Sequence, residues 1–244
     1  MRPLIYSVFL LLCAGISSTV LANGGPVNFS NTVGTGNVIY SVYRGAELVS
    51  ENLILTPGFE YVDVEARYVL CDTGDGTNTD YAFPVDLVLS EFTGMNHGVL
   101  IDEEVPRFEI TLNGRPLDYQ IRQGFNTDIF IDPWDIERDI HRLFFTTSFE
   151  IQPLDTVELL VSYSFKAWYE DLWFTKNFFT MYENRSFQYL LDPAGYWGDG
   201  TVDQLEITFD FSELIANGGC TVDLPVGGVW VDETQYVISE NDFD

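Results

Sequence analysis

Residues Asp72-Thr73-Gly74-Asp75-Gly76-Thr77-Asn78-Thr79-Asp80 crowd carboxylates, hydroxyls and an amide around two glycines. A calcium ion takes about six to eight oxygen ligands, and Asp75 and Asp80 are the charged ones this loop offers. The spacing lacks the internal glycine and the distal glutamate of an EF-hand loop, so its plainer reading is a polar turn between strands. Gly198-Asp199-Gly200-Thr201-Val202-Asp203 is a shorter loop of the same kind. No cofactor is called for by the sequence, and calcium is the one it leaves possible.

The aromatics offer a second chemistry. Trp134, Trp168, Trp173, Trp197 and Trp230, with Tyr169, Tyr182 and Tyr196, could stack on sugar rings. Trp173, Trp197 and Tyr196 fall outside clean strand patterns and are the candidate ligand-binding residues. The competing reading is plain: large aromatics also fill the cores of β-sandwiches.

No residue is assigned a catalytic role. The two histidines, His97 and His141, fit surface positions and make no His-x-x-x-His pair. No Cys-x-x-Cys, nucleophile elbow, dinucleotide turn or phosphate-cradling loop is written in the chain. Glycoside hydrolysis needs only two carboxylates about 5–10 Å apart, and 38 acids leave that pair open and unassignable.

Where these residues must work is set by the first 22. Arg2 precedes an apolar run from Leu4 to Ile16, then a polar step and Val20-Leu21-Ala22, the small-residue pattern that signal peptidases cut. The run is shorter than the roughly 18–20 apolar residues of a membrane helix, and no later stretch approaches that length. The expectation is a leader over 1–22, cleaved after Ala22, and one secreted or periplasmic domain over 23–244 without a membrane-inserted segment. Loss of Arg2 leaves 10 basic against 38 acidic residues, a net charge of −28. Such a surface repels phosphates, which disfavours nucleic acid and anionic lipid surfaces; the expectation is no nucleic acid, with a protein or surface glycan as the partner. Asn28-Phe29-Ser30 and Asn184-Arg185-Ser186 match the glycosylation pattern but occur often by chance.

Cys13 lies in the leader, which leaves Cys71 and Cys220 as an even pair in an oxidising compartment. A Cys71–Cys220 bridge would close a loop of about 150 residues, a stabilisation of roughly 4–5 kcal/mol in the chain-entropy picture. Two free buried thiols are the alternative.

Positioning falls to strands. Val62, Val64, Ala66, Tyr68 and Leu70 alternate with Asp63, Glu65 and Arg67. Similar alternation runs through 108–112, 117–121, 157–165 and 205–211, each with one buried and one wet face. Asn113-Gly114 between two of them marks a tight hairpin. Shorter strands are expected at 36–43, 51–56, 83–89, 143–151, 186–191, 220–224 and 229–238. Asp132-Pro133-Trp134-Asp135, followed by Ile136, Ile140 and Leu143, predicts a short surface helix over 133–142. Residues 169–182 read as a loop, and Ser212–Ala216 as one helical turn stopped by Asn217-Gly218-Gly219. Strands without alternating helices predict an all-β fold, a two-sheet antiparallel β-sandwich with one short surface helix.

Val64-Glu65-Ala66-Arg67-Tyr68-Val69-Leu70, Phe83-Pro84-Val85, Phe108–Gly114, the block from Phe187 to Trp197 and Leu205-Glu206-Ile207 together resemble a group of exported bacterial proteins catalogued as domains of unknown function. Ala22-Asn23-Gly24 matches the usual start of that group, and the ending Ile238–Asp244 departs from it. The resemblance, over about 46–211, implies an envelope or secreted β-protein and brings no catalytic residues. The resulting expectation is an exported, non-enzymatic β-sandwich acting in protein or cell-surface interactions. Its rivals are a carbohydrate-binding module and a carboxylate-based hydrolase.

Overall fold

The computed structural model describes residues 25–26, 44–58, 61–74, 76–89, 105–123, 129–131, 137–166, 168–171, 183–186, 197–218, 224 and 227–243. The expected leader, His97, the strand expected at 36–43 and all but Leu224 of the one expected at 220–224 lie outside them.

Two sheets hold most of the described chain. Strands β1 (Gly25–Pro26), β4 (Thr77–Leu89), β9 (Glu137–Ile151) and β7 (Gln120–Gln123) form the smaller in that order, with β8 (Ile129–Ile131) also on β9. The larger uses β2 (Ala46–Pro57), β3 (Tyr61–Asp72), β5 (Arg107–Leu112), β6 (Arg115–Pro116), β10 (Thr156–Lys166), β13 (Val202–Asp210), β14 (Val229–Trp230) and β15 (Gln235–Phe243). Its order is β14-β15-β13-β2-β3-β10-β5-β6. A separate ribbon pairs β11 (Trp168–Asp171) with β12 (Glu183–Ser186), so part of the span read as a loop is strand. The fold is the expected all-β sandwich, with one departure from antiparallel order: β13 lies parallel to β2, Ile207 beside Leu53.

The alternation seen in the sequence is the burial pattern of the centre. On β3, Val62, Val64, Ala66, Tyr68 and Leu70 are buried, and β10 lays Val157, Leu159, Val161, Tyr163 and Phe165 beside them. The smaller sheet answers with Tyr81, Phe83, Val85, Leu143, Phe145 and Phe149. Phe83 meets Tyr163 edge-on at 4.8 Å between ring centroids, and Phe108 stacks on Phe145 at 3.8 Å. These rings lock one sheet to the other. Burial pushes the Tyr163 hydroxyl well above its ordinary value, because the charged phenolate would have to form away from water.

The helix expected over 133–142 is not formed at 137–142. Those residues begin β9, a 15-residue strand whose ladder takes Val88 opposite Ile140 and Phe130 opposite Arg138. An N-cap and a proline favour a helix locally, but pairing on both edges satisfies more backbone groups than one short surface helix would. The described short helix is instead α1 (Ser212–Ala216), whose first turn is met by Asp210 Oδ1 accepting from Ser212 N at 2.9 Å.

Asn113-Gly114 closes the β5–β6 hairpin, with φ of 50° and 72° as a primed two-residue turn requires. Beyond it Leu117 N donates to the Ile110 carbonyl at 2.9 Å, and the chain then crosses to the other sheet as β7. The expected 117–121 strand is thus divided between a crossing and a new strand. Two outcomes follow from this packing. Replacement Phe83→Ala removes the central inter-sheet ring and lowers unfolding free energy by about 3–5 kcal/mol in urea titration. A side chain at Gly114 would meet no neighbouring atom, so Gly114→Val isolates the left-handed backbone cost, about 1–2 kcal/mol in the same assay.

Candidate functional site

Several carboxylates that make the protein acidic are used to hold turns. Asp72 ends β3 with its side chain turned inward, only 2% of the residue exposed. Its Oδ1 accepts from the backbone N–H of Gly74 at 2.9 Å, Leu154 at 3.1 Å and Gly76 at 3.3 Å. One carboxylate therefore ties the turn after β3 to the turn before β10. The Gly74 amide, with those of Leu154 and Gly76, holds its pKa below the ordinary value against the opposing effect of burial.

The same device recurs. Asp199 is lowered by the Thr201 hydroxyl and then its amide, at 2.7 and 3.0 Å. Asp232 accepts from Thr234 N at 2.7 Å, Thr234 Oγ1 at 3.0 Å and Gln235 N at 2.8 Å, and is lowered by them in that order of residues. At Asp210, burial alone would raise the pKa, and donation from Ser212 and Gln235 outweighs it.

This geometry changes the reading of the 72–80 loop. β4 begins at Thr77, so Thr79 and Asp80 are successive strand residues whose side chains point to opposite faces. Thr79 turns into the core, while Asp80 Oδ1 accepts from Ser148 Oγ across the β4–β9 ladder at 2.6 Å. The two oxygens do not converge as consecutive loop ligands would. Asp75 lies outside the described residues. Among the described residues, no three His, Cys, Asp or Glu side chains are grouped closely enough to hold a metal ion.

Of the aromatic candidates, Trp197 is corrected. It is 1% exposed and stacks on Tyr81 at 6.4 Å, a core ring that cannot offer its face to a sugar. Trp173 and Tyr196 lie outside the described residues. Cys71 is half-buried on the outward face of β3, its Sγ 3.7 Å from the Asp72 carbonyl; Cys220 lies outside the described residues. His141 sits within β9 opposite Leu87. Glu51 was not singled out by its sequence, yet it is buried: a register shift on β2 between Leu48 and Ser50 turns it inward, opposite Tyr68.

Exposed apolar side chains are scattered over Tyr119, Ile121, Leu154 and Ile215, and three are consecutive at β14 and the residue after it. Val229, Trp230 and Val231 are 64%, 50% and 57% exposed, and Ile215 on α1 is exposed as well. Trp230 is held rather than loose, packed on Tyr236 at 5.6 Å and Phe211 at 5.8 Å. This part of the chain carries a signal that was legible in the sequence: after Arg185 there is no lysine, arginine or histidine, while twelve aspartates and glutamates follow.

No protein-family model matches the chain, and no curated protein does. Among solved structures it is similar to a Legionella pneumophila protein provisionally described as nutrient-binding. That match has a TM-score of 0.54 and 14% identity, over 92% of this chain and 67% of the other. An M1 zinc metallopeptidase from Deinococcus radiodurans is matched at a TM-score of 0.32 and 12% identity, with 42% of its length covered. A two-domain M1 peptidase with bound tryptophan is matched at 0.35 and 9%. The Legionella match shows a shared fold; the peptidase matches are too distant to bear on this chain.

The Asp72 clamp has a pH signature. With its pKa depressed in the folded protein, its stabilisation is full above the ordinary carboxylate value and is lost as pH falls through the lowered one. Asp72→Asn is therefore expected to lower the urea midpoint at neutral pH, with the difference from wild type shrinking as the solution is acidified. Urea titrations across an acid pH series check this; an equal deficit at every pH would assign the loss to packing instead.

Proposed function

We propose that this chain is an exported, non-enzymatic β-sandwich that acts by binding a protein or a cell-surface component. The observation that carries the reading is the consecutive run of exposed apolar side chains Val229, Trp230 and Val231, followed directly by the acids Asp232 and Glu233. Such a patch, rimmed by polar groups, is characteristic of an interaction surface. The fold shared with a provisionally nutrient-binding protein is consistent with the same reading.

Screening the purified protein against chromogenic ester, peptide and glycoside substrates, beside a glycan array, tests this proposal. No turnover is expected. A hydrolytic activity abolished by one point substitution would overturn the binding reading, and a strong glycan signal lost in Trp230→Ala would move it to sugar recognition. Export adds its own expectation. Protein recovered from the periplasm or medium should begin at Asn23, and its non-reduced mass should fall below the dithiol value by two hydrogens if Cys71 and Cys220 are bridged.

A further inference from the structure

We infer that the outer edge of β15 is a docking site for an extended, basic segment of a partner protein, which adds to the larger sheet as another strand. The inference rests on the binding reading above and names its surface and the partner's chemistry.

The ladder shows which backbone groups are on offer. Phe211 N donates to the Thr234 carbonyl, and Val231 N donates to the Gln235 carbonyl from the opposite side. N–H and C=O of a strand residue point the same way and alternate along the chain. Hence Tyr236, Ile238 and Glu240 face β13, while Val237, Ser239, Asn241 and Phe243 face outward. β14 pairs only with Tyr236 and Val237, and upstream of it Gly227, at φ 105°, takes the chain out of extended geometry. From Ser239 onward the outward groups of β15 meet no strand among the described residues. The other edge of this sheet is closed differently. The two-residue β6 ends in Pro116, Leu117 N occupies the Ile110 carbonyl, and Tyr119 Oη donates to the Phe108 carbonyl at 3.3 Å.

Charge and shape select the occupant. Glu240 lies on the edge strand and Asp232 and Glu233 in the turn before it, and the absence of any basic residue after Arg185 leaves this acidity uncompensated from within the segment. A second copy of the same edge would bring like charges into register, which destabilises strand pairing. Lysine or arginine side chains on an incoming strand would instead meet acids. Where that strand meets the end of β14, an apolar side chain on the Trp230 face would approach Trp230, the kind of aromatic anchor on which interface energy concentrates.

The probe is a synthetic peptide of about ten residues alternating lysine and valine, long enough to span such an edge. Its affinity for the full chain is measured by calorimetry at low and physiological salt. A second peptide of the same composition, with N-methylated alternate amides, cannot form the ladder. Three variants accompany the wild type. Asn241→Pro removes an outward N–H and leaves every β13-facing amide in place; Ser239→Lys sets a like charge against the probe; Trp230→Ala removes the anchor. Thermal melts report whether each remains folded, and Ser239→Lys carries the test if proline unfolds the strand. The proposal expects binding that each variant weakens about tenfold, that the methylated peptide lacks, and that falls with salt. Absence of binding at low salt overturns it. So does equal binding by Asn241→Pro and Ser239→Lys, which would indicate adsorption to the acidic surface, or dimerisation of the protein through this edge. Any of these leaves the broader binding reading to its own substrate screen, whose failure would show as turnover whatever happens at β15.

Discussion

The structure depends on a seam of aromatic rings between the two sheets. Phe83 reaches from β4 to Tyr163 on β10, and Phe108 on β5 stacks against Phe145 on β9. Each sheet is amphipathic and cannot bury its apolar face alone, so neither is stable without the other. Large flat rings suit this role because a few of them span the gap and interlock by edge and face. The outer faces are free to be acidic once that seam holds. On the larger sheet they are laced by Arg67 between Glu65 and Glu158, and by Arg107 beside Asp63. Such exposed pairs add little stability individually and organise the polar face instead.

The acidic excess has two structural destinations. Some carboxylates pair across strands, as Glu206 does in accepting from Asn52 Nδ2, and Asp63 in accepting from Ser164. Others collect backbone amides at turns, where a fixed negative charge is well solvated by N–H donors. Asp72 is the most consequential of the second kind, since it joins two turns distant in sequence at one end of the sandwich. The sequence of β13 to β15 differs in carrying acids and no basic residue of its own. Exposed apolar side chains at β14 and a β15 edge only partly paired among the described residues lie next to each other.

Local chemistry was decisive wherever a signal needed only neighbouring residues. Alternation in 62–70 and 157–165 reads directly as β3 and β10, because one face of each is buried and the other wet. Asn113-Gly114 specifies its own turn, since few other residue pairs accept positive φ twice. The helix signals at 132–142 misled for the complementary reason. A cap and a proline describe how a segment behaves alone, whereas Glu137 to Arg142 have partners on both sides in β9.

What the sequence by itself determined is the class of fold, the identity of most inward faces and a strongly acidic net charge. It also held the missing signal for the acidic end, the lack of any basic residue after Arg185. Only the tertiary structure decided which aromatics are core and which are surface. Trp197 and Trp230 are the same residue type in comparable turn-rich surroundings, yet one stacks on Tyr81 inside and the other stands half in solvent. It likewise decided that β13 runs parallel to β2, that a register shift carries Glu51 inward, and that the edge of β15 faces outward. The physical reason is common to all three. Strand pairing joins residues far apart in the chain, and a shift of one position exchanges buried and exposed faces without changing any local preference.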